Sequence, residues 1–451
     1  MVIDSPAMTF NSPLPCYALA LASLLPALVT AQDVEPERWT AKFQSTYIWQ
    51  KKPSFRAAYS GDNSLSPDAE KSYSFTGTAF LGLRAGPNTE FYFNPEIVQG
   101  IPMSRLTGLG GLTNGELQKT AGASLKTYRA RAFMRHTWGL GGDREKVEAD
   151  LNQLAGMRDK NRVVLTVGNL AVGDIFDDNT YAHDARTDFM NWGFLTHGSY
   201  DFAADARGYS WGAAVEYYKD DWVLRAGRFA MPKESNGVAI DFAIFKHYGD
   251  QIELEKGYAL ADQPGKIRLL AYRNVAVMGG FNDALTYAST NNTTPDVGPV
   301  RKLRSKRGWG INLEQALSPN IGLFARLGKH DGATETYAFA EIDQSASFGT
   351  VVNGALWGRG ADAVGMAQAR HGLSQAHRDF LAAGGYGFFV GDGRLTYRTE
   401  IITEAYYRVG LSVPRVSNTA LTFGVQYIQN PAYNADRGPV KVASVRLHTE
   451  F

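Results

Sequence analysis

Three arginines on one short segment are the residues of this sequence best suited to binding a polar solute. Arg129, Arg131 and Arg135 are separated by even intervals within Ser124 to Trp138. Because side chains alternate along a strand, this spacing predicts that the three guanidinium groups share one face. A charge directed at lipid would cost roughly 2 to 4 kcal/mol, so we expect this arginine ladder to face water. The lipid-facing set would be Tyr128, Ala130, Ala132, Met134 and Trp138.

Carboxylates and further arginines occupy the polar faces of other predicted strands. Glu216 and Arg225 fall on neighbouring strands of one hairpin, whereas Glu253 and Glu255 share a face. The remaining members of this set are Arg398, Glu400, Glu404 and Arg408. Groups of both signs can bind neutral hydroxyls without the single-sign field that would trap ions. The mixture favours neutral polyols as solutes, and ordinary water-facing wall residues are the alternative at each position.

An aspartate-rich segment, residues 173–191, follows the predicted strand Val163 to Val172. One interpretation is a loop folded into the lumen that offers Asp177, Asp178, Asp184 and Arg186 to the solute. A calcium loop is a second interpretation, because carboxylate and amide oxygens are calcium ligands, but the EF-hand glycine and closing glutamate are missing. A structural loop with capping aspartates is the third.

The elements that must position these residues are strands. Apolar and polar residues alternate in Trp39 to Trp49, Tyr73 to Leu83, Trp211 to Tyr217 and Leu421 to Tyr427, among many other runs. Turn sequences such as Lys219-Asp220-Asp221 separate them. We therefore predict an all-β fold, a transmembrane antiparallel β-barrel of about 16 strands with short loop helices. At this strand number the interior is expected to be an aqueous channel.

Three further segments interrupt the strand pattern. The long polar stretches Asn282 to Arg307 and Ser345 to Gly385 are predicted to be external loops, and Asp143 to Asn161 a short helix within a loop. The basic run Arg301 to Arg307 has no interleaved aromatic residues that could stack on bases. It favours a surface loop near anionic lipid headgroups over nucleic-acid binding.

The start of the chain resembles an export leader. The apolar run Ala18 to Ala31 predicts a signal peptide over residues 1–31, cleaved before Gln32, although Met1 to Pro15 has no basic residue. The barrel domain would be residues 32–451. The only cysteine, Cys16, lies in the leader, so the mature chain is expected to have no disulfide and no thiol catalysis. The formal charge of +1 implies no strong attraction to nucleic acid, and no cofactor is predicted.

Several stretches resemble the carbohydrate-selective porins of the OprB type. They are Tyr128–Gly142, Phe176–Asn191, Gly391–Tyr397, Gln426–Val440 and Arg446–His448. The resemblance implies a 16-stranded barrel that admits glucose and related sugars by diffusion, with arginines and acids at its constriction. That role is transferred to Arg129, Arg131 and Arg135 and to the segment from Asp177 to Arg186. His136, at the end of the ladder, stands where the resemblance implies a glutamine.

Three other functions are compatible with parts of the sequence. A general, weakly selective diffusion porin would share the barrel, and an outer-membrane barrel enzyme would need a nucleophile motif that is not evident beside the histidines. A soluble secreted β protein that binds glycans would be recognised by its extraction without detergent. The expected location is the outer membrane of a Gram-negative bacterium. The expected partners are small neutral carbohydrates, outer-membrane lipid and lipopolysaccharide, the barrel-assembly machinery and a second copy of the chain.

Overall fold

Sixteen long strands form a closed antiparallel barrel in the computed structural model, which describes residues 35–414, 416 and 418–451. The predicted leader, residues 1–31, lies outside the described residues. The strands are β1 (Trp39–Lys52), β2 (Glu70–Gly86), β3 (Thr89–Ile101), β4 (Lys126–Gly139), β5 (Arg144–Val147), β6 (Gly156–Asp159), β7 (Arg162–Leu170), β8 (Ser210–Lys219), β9 (Trp222–Ala230), β10 (Tyr248–Leu260), β11 (Gln263–Met278), β12 (Lys302–Ser318), β13 (Ile321–His330), β14 (Gln344–Asn353), β15 (Ala363–Gly372), β16 (Glu400–Leu411), β17 (Asn418–Gln429) and β18 (Val440–Glu450). The helices are α1 (Trp192–Leu195), α2 (Phe281–Asn291) and α3 (Gln375–Ala382).

The barrel closes where the first and last strands meet. Tyr47 of β1 pairs with Leu447 of β18 on one side and with Phe75 of β2 on the other. The backbones of Phe43 and Phe451 exchange two hydrogen bonds, at 3.2 and 2.8 Å, and their ring centroids lie 5.7 Å apart. The terminal residue therefore completes the seam that leaves no strand edge open.

The predicted alternation is confirmed along the wall. On β17, Phe423 and Val425 point outward and are exposed, whereas Thr422 and Gln426 are buried inside. Apolar side chains face outward because the surrounding medium is hydrocarbon, and polar side chains face the interior. The predicted β-barrel and its strand number are thus confirmed.

The two ends of the barrel differ in the length of their connections. Two-residue links follow β2, β8, β10 and β12, and the start of β1 and the end of β18 lie at this short-turn end. The opposite, long-loop end carries the segments 102–125, 171–209 and 373–399. In outer-membrane barrels the short turns are periplasmic and the longer loops extracellular. None of the helices in the described part of the chain is long and apolar enough to cross a membrane.

Three predictions about loops are wrong. Ser345 to Gly385 contains most of β14 and all of β15 and α3, and Asn282 to Arg307 contains most of α2 and the start of β12. β14 and β15 contain small residues and are bordered by glycines, and their sequences therefore resembled a loop. Residues 143–161 form the hairpin β5–β6 and not a helix, because cross-strand contacts such as Arg158 to Glu145, at 2.7 Å, stabilise it.

The predicted aqueous channel does not fill the whole interior, because part of the interior is a packed core. The 171–209 loop folds inward and buries an aromatic cluster with side chains of the wall and of other loops. Its core contains Phe176, Phe189, Trp192, Phe194, Tyr200, Phe202, Phe324 and Phe339. Burial of these rings removes a large apolar area from water, so the loop occupies much of the space that sixteen strands enclose.

Carboxylates on the inner wall attach this loop through its backbone. Glu404 of β16 accepts hydrogen bonds from Met190 N and Asn191 N at 2.7 and 2.9 Å. Glu253 of β10 accepts one from Asp177 N at 2.7 Å. Buried amide groups need such partners, and hydrogen bonds to charged acceptors are among the stronger ones.

Candidate functional site

A cavity of about 1110 Å³ remains beside the packed loops. It extends from Asn88 and Gly139 at the short-turn end to Tyr209 and Phe339 of the inward-folded segments. The predicted site residues that line it are Arg131, Arg135, Asp178, Asp184, Arg186, Glu216 and Arg225. The others, Arg129, Asp177, Glu253, Glu255, Arg398 and Glu400, are not among its lining residues.

A bulge in β4 divides the predicted arginine ladder. Arg131 pairs with Asn94 and Arg129 with Pro95, so that Ala130 is the extra residue. One added residue reverses the alternation. Arg129 therefore points outward, 4.9 Å from the ring centroid of Trp211, whereas Arg131 faces the lumen. The prediction of one shared face is wrong for Arg129, and for Tyr128, whose hydroxyl donates to Glu96 inside the barrel.

Arg131 is held in place by an aspartate of the inward-folded loop. Its Nε and Nη2 donate to the two carboxylate oxygens of Asp174 at 2.7 and 2.6 Å. The guanidinium also lies 5.2 Å from the ring centroid of Tyr209. This bidentate contact fixes the plane of the guanidinium, and the remaining donor groups are available at the cavity wall.

Arg186 of the same loop forms a second charged contact with the wall. Its Nη2 lies 3.1 Å from Glu96 and its Nε 2.7 Å from Glu116. Glu96 is buried, where it also accepts from Thr78 Oγ1 at 2.5 Å, whereas Glu116 lines the cavity. We refer to Glu116, Arg131, Asp174, Arg186 and Tyr209 together as the lumen cluster. It presents acids, guanidinium groups and an aromatic face around one part of the cavity.

Arg135 belongs to a different part of the cavity, nearer the short turns. Its Nη1 donates to the carbonyl oxygen of Asn152 at 3.0 Å, and its guanidinium lies 5.2 Å from the ring centroid of Tyr92. Asn152 is at the tip of the β5–β6 hairpin, which therefore reaches into the barrel. Arg131 and Arg135 remain on one face, but they contact different inserted segments.

The aspartates of the 171–209 loop have unequal roles. Asp177 is buried and accepts hydrogen bonds from His197 N at 2.6 Å and Asn312 Nδ2 at 2.7 Å. Burial opposes its ionisation, but Arg326 and His197 hold the pKa of Asp177 below its ordinary value. Asp178 and Asp184 reach the cavity wall. No group of acids and histidines within the described residues has an arrangement that would hold a metal ion, so the geometry gives the calcium interpretation no support.

The predicted pair Glu216 and Arg225 is present at the cavity wall. Arg225 Nε donates to Glu216 at 3.0 Å, and its Nη1 lies 2.9 and 3.0 Å from Glu253 and Glu255. Arg268 continues the network from Glu255, at 2.7 Å. The charges of Glu253 and Glu255 are thus balanced by arginines within the wall. Glu216 and Arg225 form the end of this network that a solute can reach.

The predicted pair Arg398 and Glu400 is not brought to the cavity. Arg398 precedes β16 and is exposed at the long-loop end. Glu400 is fully buried and accepts hydrogen bonds from Gly110 N, Gly111 N and Ala432 N at 3.1, 2.8 and 2.9 Å. Its carboxylate therefore attaches two loops to the wall.

Sequence analysis missed several residues that line the cavity, among them Glu116, Lys119, Asp174, Arg207 and Tyr209. All are loop residues, and no periodicity marks them. Lys119 Nζ donates to the carbonyl oxygen of Ala338 at 2.6 Å. Burial lowers the pKa of Lys119 to about 7, against the attraction of Asp201, Asp205 and Glu341.

Comparison with known proteins identifies a family and solved structures with a similar fold. The sequence profile of the carbohydrate-selective porin, OprB family, matches residues 80–451. The high-pH structure of Pseudomonas putida OprB is similar with a TM-score of 0.69 and 17% identity, over 92% of this chain and 94% of that one. The structure of Pseudomonas aeruginosa OccK2 (OpdF) matches with a TM-score of 0.45 and 9% identity, over 92% of this chain and 97% of that one. None of the proteins of curated function matches this chain.

Proposed function

The chain belongs to the carbohydrate-selective porin, OprB family, and we propose that neutral sugars diffuse through it past the lumen cluster. Membership of this family makes the protein a sugar channel of the outer membrane of Gram-negative bacteria. It also decides against the alternative of a barrel enzyme. The identity of the residues that contact the sugar is our proposal.

The observation that carries the proposal is the pairing of charges at the cavity wall. Arg131 is bound to Asp174, and Arg186 to both Glu96 and Glu116, so charges of opposite sign lie side by side and largely offset each other at a distance. Close to the wall each pair still offers donors and acceptors. A sugar hydroxyl is both donor and acceptor, and the ring face of Tyr209 gives the apolar face of a sugar a surface to pack on. A free ion is stabilised less by such paired charges than by a field of one sign.

Glu216 and Arg225 give the sugar a second contact nearer the short turns. The ring of Tyr218 lies beside them, and its hydroxyl donates to Glu216 at 2.7 Å. The arrangement repeats the combination of acid, guanidinium and tyrosine found in the lumen cluster. We infer that Asp178, Asp184 and Arg135 contact the solute between these positions, because they line the same cavity.

The proposal is tested by solute flux into vesicles that contain the mature protein. We expect glucose to enter faster than triethylene glycol, an uncharged solute of similar size with fewer hydroxyls. Glucose should also reduce the potassium chloride current through single channels. Equal rates for the two solutes, with no reduction of the current, would support the weakly selective porin instead.

Other partners also remain proposals. We infer that the C-terminal strand, together with Phe451 directly after it, is recognised by the barrel-assembly machinery during insertion. Outer-membrane lipid, including lipopolysaccharide, is the proposed neighbour of the apolar outer wall, and self-association into oligomers is proposed through the same wall. Chemical cross-linking of the protein in native membranes would distinguish these partners.

A further inference from the structure

Three cations without partners lie together on the outer wall of the barrel. Arg273 of β11 is paired directly with Arg307 of β12, and Lys329 of β13 is paired with Trp309, two residues along β12 from Arg307. All three side chains are exposed. We refer to Arg273, Arg307 and Lys329 as the outer cationic patch.

Alternation along the strands establishes that the patch faces away from the lumen. Tyr272 and Asn274, which flank Arg273, are buried inside the barrel, and Lys306 beside Arg307 is fully buried against Asp201. The basic run that the sequence predicted as a surface loop is therefore divided between two faces of β12. Arg307 is its member on the membrane side.

No described side chain forms an ion pair with the patch, and the carboxylate of Asp331 binds Arg307 only through its backbone N, at 2.8 Å. Neither guanidinium, nor the Lys329 ammonium, has a hydrogen bond or ion pair to a side chain within residues 35–414, 416 and 418–451. Like charges directly opposite each other in a sheet are destabilising. Arg228, the next cation along the wall, does have a partner, because it donates to both carboxylate oxygens of Asp250 at 2.7 Å.

The surroundings of the patch are apolar. Leu269, Trp309 and Leu327 are exposed on the side of the short turns, and Val277 and Leu303 on the side of the long loops. A charge in such a wall is costly where it faces hydrocarbon, and the cost falls toward the headgroups. Arg273 lies ten residues from the start of β11 at Gln263, which corresponds to roughly 25 Å along the barrel axis. Arg273 therefore lies at the rim of the apolar band on the long-loop side.

We propose that the outer cationic patch binds the phosphate groups of a phosphorylated glycolipid in the outer leaflet. Guanidinium groups bind phosphate through paired, charge-assisted hydrogen bonds, and adjacent Arg273 and Arg307 suit a headgroup with two phosphates. A second copy of the chain is a poorer partner. Asp250 is the only acid among the described residues that point outward from the sixteen barrel strands, and Arg228 already binds it.

The experiment measures how much lipid A stays bound to the folded, mature protein during purification in detergent. The probes are bis-phosphorylated lipid A, lipid A without phosphates, and inorganic phosphate as a competitor. We expect R273Q/R307Q to bind bis-phosphorylated lipid A about thirtyfold more weakly than the wild type, since each basic residue near an anionic surface contributes about 1 kcal/mol. K329Q should have a smaller effect of the same sign.

The matched control is R370Q, which removes an outward-facing arginine of β15 that is paired with Ala346 and Ile401 rather than with another cation. It should bind lipid A as the wild type does. Glucose flux should be unchanged in all variants, so a failure here is separate from a failure of the sugar channel. Three results would overturn the proposal: equal retention by R273Q/R307Q, equal retention of lipid A without phosphates, or full competition by inorganic phosphate. A lipid-free dimer that R273Q/R307Q abolishes would also overturn it, in favour of an interface between copies.

Discussion

Arg131 and Asp174 join the barrel wall to the inward-folded loop through two hydrogen bonds, at 2.7 and 2.6 Å. The contact exists because the bulge at Ala130 restores Arg131 to the lumen side after Arg129 has pointed outward. Arg129 and Arg131, although separated by one residue, therefore lie on opposite faces of the barrel wall. This separation makes them a natural pair of variants.

Replacement of Arg131 by alanine should weaken sugar binding in the lumen and raise the conductance. The loss of a charged hydrogen-bond donor corresponds to about a tenfold weaker block of the current by glucose. Single-channel recording with increasing glucose measures the effect. Arg129→Ala is the control, because its side chain lies over Trp211 outside the barrel. If both variants changed the glucose block equally, Arg131 would have no special role.

Replacement of Asp174 by asparagine should leave Arg131 without its countercharge. The lumen cluster then carries one more net positive charge, and an excess of one sign attracts anions. We expect the reversal potential in a potassium chloride gradient to shift toward chloride selectivity, and the shift to diminish at high salt as screening increases. An unchanged reversal potential would contradict the assignment of Asp174 to the conducting path.

Replacement of Glu400 by glutamine should loosen the loops rather than alter a solute contact. Its carboxylate accepts three backbone hydrogen bonds, and an amide directs an NH₂ group at donors it cannot bind. The expected destabilisation is about 1 to 3 kcal/mol, measured by urea unfolding, with faster proteolysis of the loops. Glu148→Gln, on an exposed side chain of the short-turn end, should change neither. Equal stability of E400Q and the wild type would exclude this anchoring role.

The charge of the lumen should change near neutral pH through Lys119. Its pKa is lowered by burial to about 7, from the ordinary 10.5, so the ammonium is charged below that pH and neutral above it. Chloride selectivity should therefore fall as the pH rises from 6 to 8. The unfolded chain keeps this proton up to its ordinary pKa, so the same group makes the protein more stable as the pH rises between 7 and 10.5. In Lys119→Met the selectivity change over this range should be reduced, and an unreduced change would assign it to another group.

The barrel wall could be predicted from sequence because each strand carries its own pattern. Phe423 and Val425 alternate with Thr422 and Gln426, and this requires no knowledge of neighbouring strands. The bulge at Ala130 could not be predicted in this way, since it is defined by how β4 pairs with Pro95 of β3. Alternation alone therefore assigned Arg129 to the wrong face.

The filled interior had a signal that strand patterns do not capture. The 171–209 loop contains Phe176, Phe189, Trp192 and Phe202, an aromatic content that an external loop would not need. Its acids were predicted to bind solute because one interpretation placed this loop in the lumen and the family resemblance implies acids at the constriction. The structure instead divides them between backbone contacts, as for Asp177, and the cavity wall, as for Asp184. This division depends on tertiary contacts between segments far apart in the chain.

The attachment of the loops by Glu400 and Glu404 has an evolutionary consequence. Both carboxylates bind main-chain amides, which every residue except proline possesses. Amino-acid changes within the loops can therefore accumulate without loss of the attachment. A lineage could exchange one nutrient for another by altering the loops alone, while the inherited strand register stays as it is.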